Sequence, residues 1–278
     1  MKRISPSETF MAAITWAAAL LTAGALLYII GFILWRGVPY ITPSLFAPVY
    51  NSINVSLLPA LVSTVMMAVL SLSFALPLGI GAAVYLAEYA RRGNRAVRLI
   101  RLAAETLAGI PSIVYGLFGM LFFVVWLGWD FSLLAGSCTL AIMILPLLLR
   151  SGEEALLSVP DSYREGSFAL GAGKLRTVFR IVLPAAIPGV LAGVVLAVGR
   201  IAGETAALIY TAGTVAQIPP DVFASARTLS VHMYALSREG LHTNEGYATA
   251  VVLLLVVIGI NVIAARIAGK IGGAHERV

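Results

Sequence analysis

"GVLAGVVLAVGRIAGETAALIY", residues 189–210, reads as a membrane span with two charges in it. As helix it is long enough to cross the ~30 Å of bilayer hydrocarbon, which takes about 20 apolar residues. Arg200 and Glu204 sit where an ionised side chain costs roughly 2.5–3.5 kcal/mol on insertion scales. The rest of the chain has the same character. Of its 278 residues, 60% are hydrophobic and 12% charged, and the mean hydropathy is +0.95. That balance excludes a soluble domain of this length and implies an all-α polytopic membrane protein.

Six apolar stretches are predicted to span, at about 10–35, 57–88, 103–128, 132–149, 184–210 and 247–268. They would form a single transmembrane domain over 1–278, with a first helix and then core helices over 57–268. Polar connections lie between them, with a short turn at 128–130 and the longest cytoplasmic loop at 151–183. Fifteen of the 19 Lys and Arg residues fall on one side of this arrangement, and three fall on the other. Arg200 alone falls inside a span. By the positive-inside rule both termini are then cytoplasmic, and the formal charge of +6 reflects topology rather than a nucleic-acid partner. "MKR" followed by an apolar run resembles a signal peptide, but the run exceeds the usual signal core, so an uncleaved first span is expected. Cys138 is the single cysteine and allows no disulfide framework.

The loop "SGEEALLSVPDSYREGSFALGAGKLRTVFRIVLPAAIPG" begins at Ser151. "SVPD" and "SYRE" fit a capping box, so a helix should start near Ser158–Ser162 and stop at Gly171. A second helix is predicted from Lys174 to Pro184, with Leu175, Val178, Phe179 and Val182 on one face and Arg176 and Arg180 on another. Such a segment suits either a headgroup surface or a protein partner. "GAGKL" is no P-loop: Phe168 stands where the first glycine is needed and Leu175 where a hydroxyl is needed. No nucleophile–base arrangement is evident, and His232, Glu239 and His242 have no metal-site spacing. An enzyme is not expected.

These residues resemble the permease subunits of ATP-binding-cassette importers, whose cytoplasmic loop carries E-A-A-x3-G-x9-I-x-L-P. Here Glu165, Gly166, Ser167, Phe168, Leu170, Gly171, Ile181, Leu183 and Pro184 reproduce the spacing, with Gly166 and Ser167 in place of two alanines. "ETLAGIPSIVYGLFG" (105–119), "GRIAGETAAL" (199–208) and "LSVHMYALSREG" (229–240) look most like the phosphate-specific permease of the PstA type. The resemblance implies a type I importer fold in the bacterial inner membrane. Its implied partners are a second homologous permease, a dimer of ATP-binding ATPases and a periplasmic or extracellular phosphate-binding protein. ATP and Mg would sit on the ATPase and no cofactor on this chain, and the 151–183 loop would couple the two.

For the two buried charges, two readings stand. If helical, Arg200 and Glu204 share a face four residues apart and could form an internal ion pair that glues the bundle. Alternatively Arg200 offers its planar donor fork to a passing phosphate, balanced by Glu204, with Thr205 adding a hydroxyl. The family pattern also has an arginine matching Arg150, either an exit-side anion contact or a positive-inside anchor. Gly189 with Gly193 and Gly199 with Gly203 would allow close helix approach. Pro77, Pro111, Pro146 and Pro188 should kink or break spans, and "AGIPS" (108–112) is a candidate lining segment. Glu105 is expected to cap its helix or pair with Arg101. Open alternatives are another oxyanion, the sister phosphate permease, an ion-coupled carrier, or a membrane scaffold that recruits a cytosolic protein.

Overall fold

The computed structural model describes residues 6–91 and 93–275, with side chains over 10–91 and 93–266. Lys2, Arg3, Arg92 and Arg277, part of the charge argument, lie outside the described residues, as does the "MKR" start.

Five helices are long and apolar enough to cross a membrane: α1 (Pro6–Gly37), α2 (Leu58–Val84), α5 (Leu133–Leu157), α8 (Leu183–Gly203) with its lead-in, and α11 (Thr243–His275). A sixth crossing is possible only as a bent pair, α3 (Arg95–Ala108) and α4 (Ser112–Gly119), which meet at 101°. The expected continuous span 103–128 is therefore corrected. Pro111 has no N–H to give and holds the residue before it out of the helical region, so the helix ends at Ala108. The Tyr115 hydroxyl donates to the Leu107 carbonyl at 2.7 Å and satisfies one of the acceptors freed there. Beyond α4 a π turn (Met120–Trp126) leads to the tight turn at Gly128 and Asp130, both at positive φ.

The centre of the bundle is α5. Of its apolar window 67% is buried, against 0% for α1, which packs mainly against the last helix and the chain that follows α1. Met67 and Ala75 of α2, Leu140 and Ile144 of α5, and Ala197 and Ile201 of α8 form one apolar core. Two glycines set the α5–α8 distance. A Cβ on Gly193 would collide with Ser151 Oγ, and one on Gly189 would come within 2.7 Å of the Ala155 Cβ. Gly199 and Gly203 meet nothing within 4 Å, so only the first of the two expected small-residue pairs closes a contact in this chain.

The span predicted at 184–210 is also corrected at both ends. It starts earlier, because α7 (Lys174–Thr177) runs through a π turn (Val178–Val182) into α8 without a break. The second loop helix is thus the foot of a span. It stops earlier too, at Gly203, where Glu204 turns extended (φ −72°, ψ 129°) before the short α9 (Ala206–Ile209). Gly116 of α4 packs so close to Ala207 that its Cβ would lie 2.7 Å from the Ala207 Cα, which fixes α9 off the α8 axis. The segment after α9 folds over the start of α5, whose Leu133 and Leu134 N–H groups donate to Ala224 and Val222 carbonyls at 2.9 and 2.8 Å. It ends in α10 (Leu229–Glu239), closed by Gly240 at φ +72°.

Candidate translocation pathway and coupling segment

Arg200 lies in the last turn of α8 and opens into a cavity of about 650 Å³ between α3, α5 and α8. Arg101, Glu105, Arg150, Glu153 and Glu154 share its wall, and Pro146, Leu147 and Leu196 form the apolar part. Pro146 explains part of the opening, since it removes one backbone hydrogen bond from α5 one turn before Arg150. Three cations and three carboxylates thus face one space, but not in equal partnership. Arg101 reaches Glu153 at 2.6 Å across 52 residues of sequence, not Glu105 as expected. Arg150 meets Glu154 at 3.0 Å along the helix, with both side chains about two-thirds exposed. Arg200 has no ion pair among the described residues.

The structure brings Arg200 and Arg150 together and sets Glu204 and Thr205 apart from them. Because α8 ends at Gly203, Glu204 does not share a helical face with Arg200. Its carboxylate instead accepts the Ala207 N–H at 3.0 Å, capping α9, and its carbonyl accepts the Ser230 hydroxyl of α10. Glu204 is buried, and its carboxylate and backbone carbonyl together pin the end of α8 to α9 and α10. The Thr205 hydroxyl donates to the Gly203 carbonyl at 3.4 Å.

The 151–183 loop, the candidate coupling segment, has the predicted stop and a different start. Helix α6 (Asp161–Ala169) ends through Gly171 at φ +81°, where a left-handed residue is needed. Its N-cap is Pro160, so neither expected capping box forms, and Ser158 Oγ bonds back to the Ala155 carbonyl. Glu165, Gly166, Phe168 and Leu170 are exposed, Leu170 at 91%. Ser167 is buried, its hydroxyl 2.8 Å from that of Thr177, which ties α6 to α7. Ile181, Leu183 and Pro184 are half-buried at the foot of α8. The predicted apolar face divides: Val178 and Val182 pack into a core with Ala83, Ala155 and Leu156, whereas Leu175 and Phe179 stay exposed near Arg176 and Arg180.

Sequence reasoning missed Arg164. This α6 side chain reaches Glu88 at the end of α2 at 2.6 Å, and also bonds the Leu156 and Val159 carbonyls. Glu88 and Arg164 lie 76 residues apart, so no local spacing marks the pair. Glu154 could have been found, being four residues after Arg150. Among the described residues no group of His, Cys, Asp or Glu could hold a metal ion.

A family model for the binding-protein-dependent transport system inner membrane component matches residues 75–272. The chain belongs to this family. It is 38% identical over 200 residues to the probable ABC transporter permease protein YqgI of Bacillus subtilis, covering 65% of this chain and 68% of that protein. It is 37% identical over 211 residues to the phosphate transport system permease protein PstA 1 of Mycobacterium tuberculosis, covering 75% and 69%. Among solved structures, the inward-facing MetNI methionine ABC transporter aligns with a TM-score of 0.62 at 24% identity, covering 75% of this chain and 93% of that one. A bacterial alginate ABC transporter aligns at 0.62 and 18% identity, covering 91% and 95%. These likenesses show the type I ABC importer-like fold of a multi-pass inner-membrane permease component.

Proposed function

We propose that this chain is the PstA-type permease subunit of an ATP-driven importer that moves inorganic phosphate into the cytoplasm. The observation that carries the reading is Arg200, a guanidinium without a carboxylate partner among the described residues, facing the same cavity as Arg150. The named phosphate permeases among its relatives support phosphate as the anion. A guanidinium presents parallel N–H donors that fit phosphate oxygens two at a time. Arg200 would contact the anion directly, and Arg150 would take it on the way out. Glu154, rather than Glu204, would compete for Arg150 and keep release fast. Glu204 and Thr205 would hold the wall of the path at the α8–α9 turn.

The positive-inside bias supports cytoplasmic termini and a cytoplasmic α6 in a single transmembrane domain over 1–278. On this reading the exposed face of α6 seats in a separate ATPase that carries ATP and Mg. A sister permease completes the conduit, and an extracytoplasmic phosphate-binding protein delivers the anion. The permease itself performs no catalysis; ATPase closure would shift populations between outward and inward access.

The test is uptake of radiolabelled phosphate by the complete transporter in vesicles. Arg200→Gln should lower the initial rate at least tenfold (about 1.4 kcal/mol or more) while the subunits still co-purify. Unchanged uptake would remove Arg200 from the pathway. Equal competition by sulfate would remove phosphate as the preferred anion.

A further inference from the structure

A second cavity, of about 470 Å³, lies between the stretch that follows α2 and the amphipathic α3, and it adjoins the first at Arg101 and Leu157. Arg91, Asn94, Arg98 and Arg101 line it together with Leu86, Ala87, Ala90, Val97 and Leu157. The nearby carboxylates are already engaged. Glu88 holds Arg164 and Glu153 holds Arg101, each at 2.6 Å. Arg91 and Arg98 have no acidic partner among the described residues and are exposed. The cavity therefore keeps two uncompensated guanidinium groups beside apolar side chains.

Helix α3 and the stretch Ser112–Trp126 meet at 101°, so both cannot lie along the membrane normal. We take the arginine-bearing α3 as the part that runs along the interface. Val97 and Ala104 turn inward, while Leu99, Ile100 and Leu102 are 66%, 41% and 58% exposed. A helix that exposes arginines together with Leu99, Ile100 and Leu102 sits where headgroups meet acyl chains.

We propose that the cavity between the stretch that follows α2 and α3 binds the headgroup phosphate of one anionic phospholipid through Arg91 and Arg98. The lipid's chains lie against Leu99, Ile100 and Leu102. Inorganic phosphate has the same oxygen chemistry but no chains to cover the exposed Leu99, Ile100 and Leu102, whereas a diacyl lipid supplies both headgroup and chains. Each arginine near a charged membrane surface contributes about 1 kcal/mol. Losing two should weaken retention about 30-fold, at ~1.4 kcal/mol per decade. The site depends on α3 lying at the interface and not on which anion the transporter carries.

The complete transporter, in phosphatidylcholine nanodiscs titrated with phosphatidylglycerol, tests this by native mass spectrometry. The wild type should retain at least one more phosphatidylglycerol than the Arg91→Gln/Arg98→Gln double variant. Millimolar inorganic phosphate should not strip it. An Arg91→Lys/Arg98→Lys variant, which keeps both charges, should retain most of the binding and guards against a folding artefact. Equal retention by wild type and the Gln variant overturns the proposal. So does displacement by inorganic phosphate, which would make this a free-anion site. Efficient cross-linking of Asn94→Cys to another subunit would make it a protein interface and would also overturn it.

Discussion

Arg164 illustrates how one largely buried cation can fasten a short helix. Its side chain is 16% exposed and that of Glu88 is 8%, and the Leu156 and Val159 carbonyls and the exposed Asp161 carboxylate take its remaining donors. Removing one partner of such a pair leaves the other charge buried, which costs more than the pair contributes. Arg164→Ala should destabilise the fold by about 3 kcal/mol, read as a lower melting temperature of the purified complex. Glu88→Gln, which keeps an acceptor, should cost less. His232 offers a contrast in sign. It is fully buried in α10, outside the long spans, with Nδ1 3.3 Å from Arg227 and Nε2 without a hydrogen-bond partner. Burial and the neighbouring guanidinium push its pKa down to about 4. The unfolded chain takes up that proton near pH 6.5 and the folded chain only near pH 4. Stability is therefore held above pH 6.5 and declines as the pH falls through that interval. A His232→Gln variant should show a shallower loss in melting temperature across the same range. The residue types at these sites were visible in the sequence. Their partners were not, because Glu88–Arg164 and Arg101–Glu153 are closed by tertiary packing alone.

At the scale of the helices, the sequence revealed breaks whose identity is local and concealed those imposed from outside. Gly171 stops α6 because its own φ of +81° suits glycine, so spacing alone located it. Pro111 announced a disruption without giving its angle. The end of α8 was hidden, because Ala206–Ile209 is as apolar as the helix before it. The turn there is enforced by Gly116 against Ala207 and by the Glu204 cap. Coupling residues were likewise legible as a pattern, whereas the cavity uniting Arg200 with Arg150 needed three helices to be placed. The glycine pairs allow a direct comparison. Gly193→Val must push α8 away from Ser151 of α5 and should cost roughly 1–3 kcal/mol, as overpacking does. Gly199→Ala meets open space and should leave the melting temperature of the isolated chain unchanged or raise it slightly. Thermal unfolding of the two variants in detergent would show the difference.

For the whole molecule, sidedness decides whether the cavity at Arg200 is an exit or an entrance. Leu170 is 91% exposed on the coupling segment, and Cys138 is the one native cysteine. In a Cys138→Ser background, Leu170→Cys should react with a membrane-impermeant maleimide only when the cytoplasmic face is open to it. Labelling of intact cells would invert the proposed orientation and with it the direction of transport.

The helical run from Lys174 to Gly203 makes the foot of the proposed coupling segment and Arg200, the proposed pathway cation, parts of one rod. At 1.5 Å per residue, Arg200 stands roughly 39 Å from the foot of that rod. Pivoting the rod at its foot by only ~5° would swing the guanidinium through roughly 3 Å, a whole hydrogen-bond length. An ATPase stroke too small to open a visible gap could therefore already take the grip off the anion, so release can precede any wide parting of the bundle.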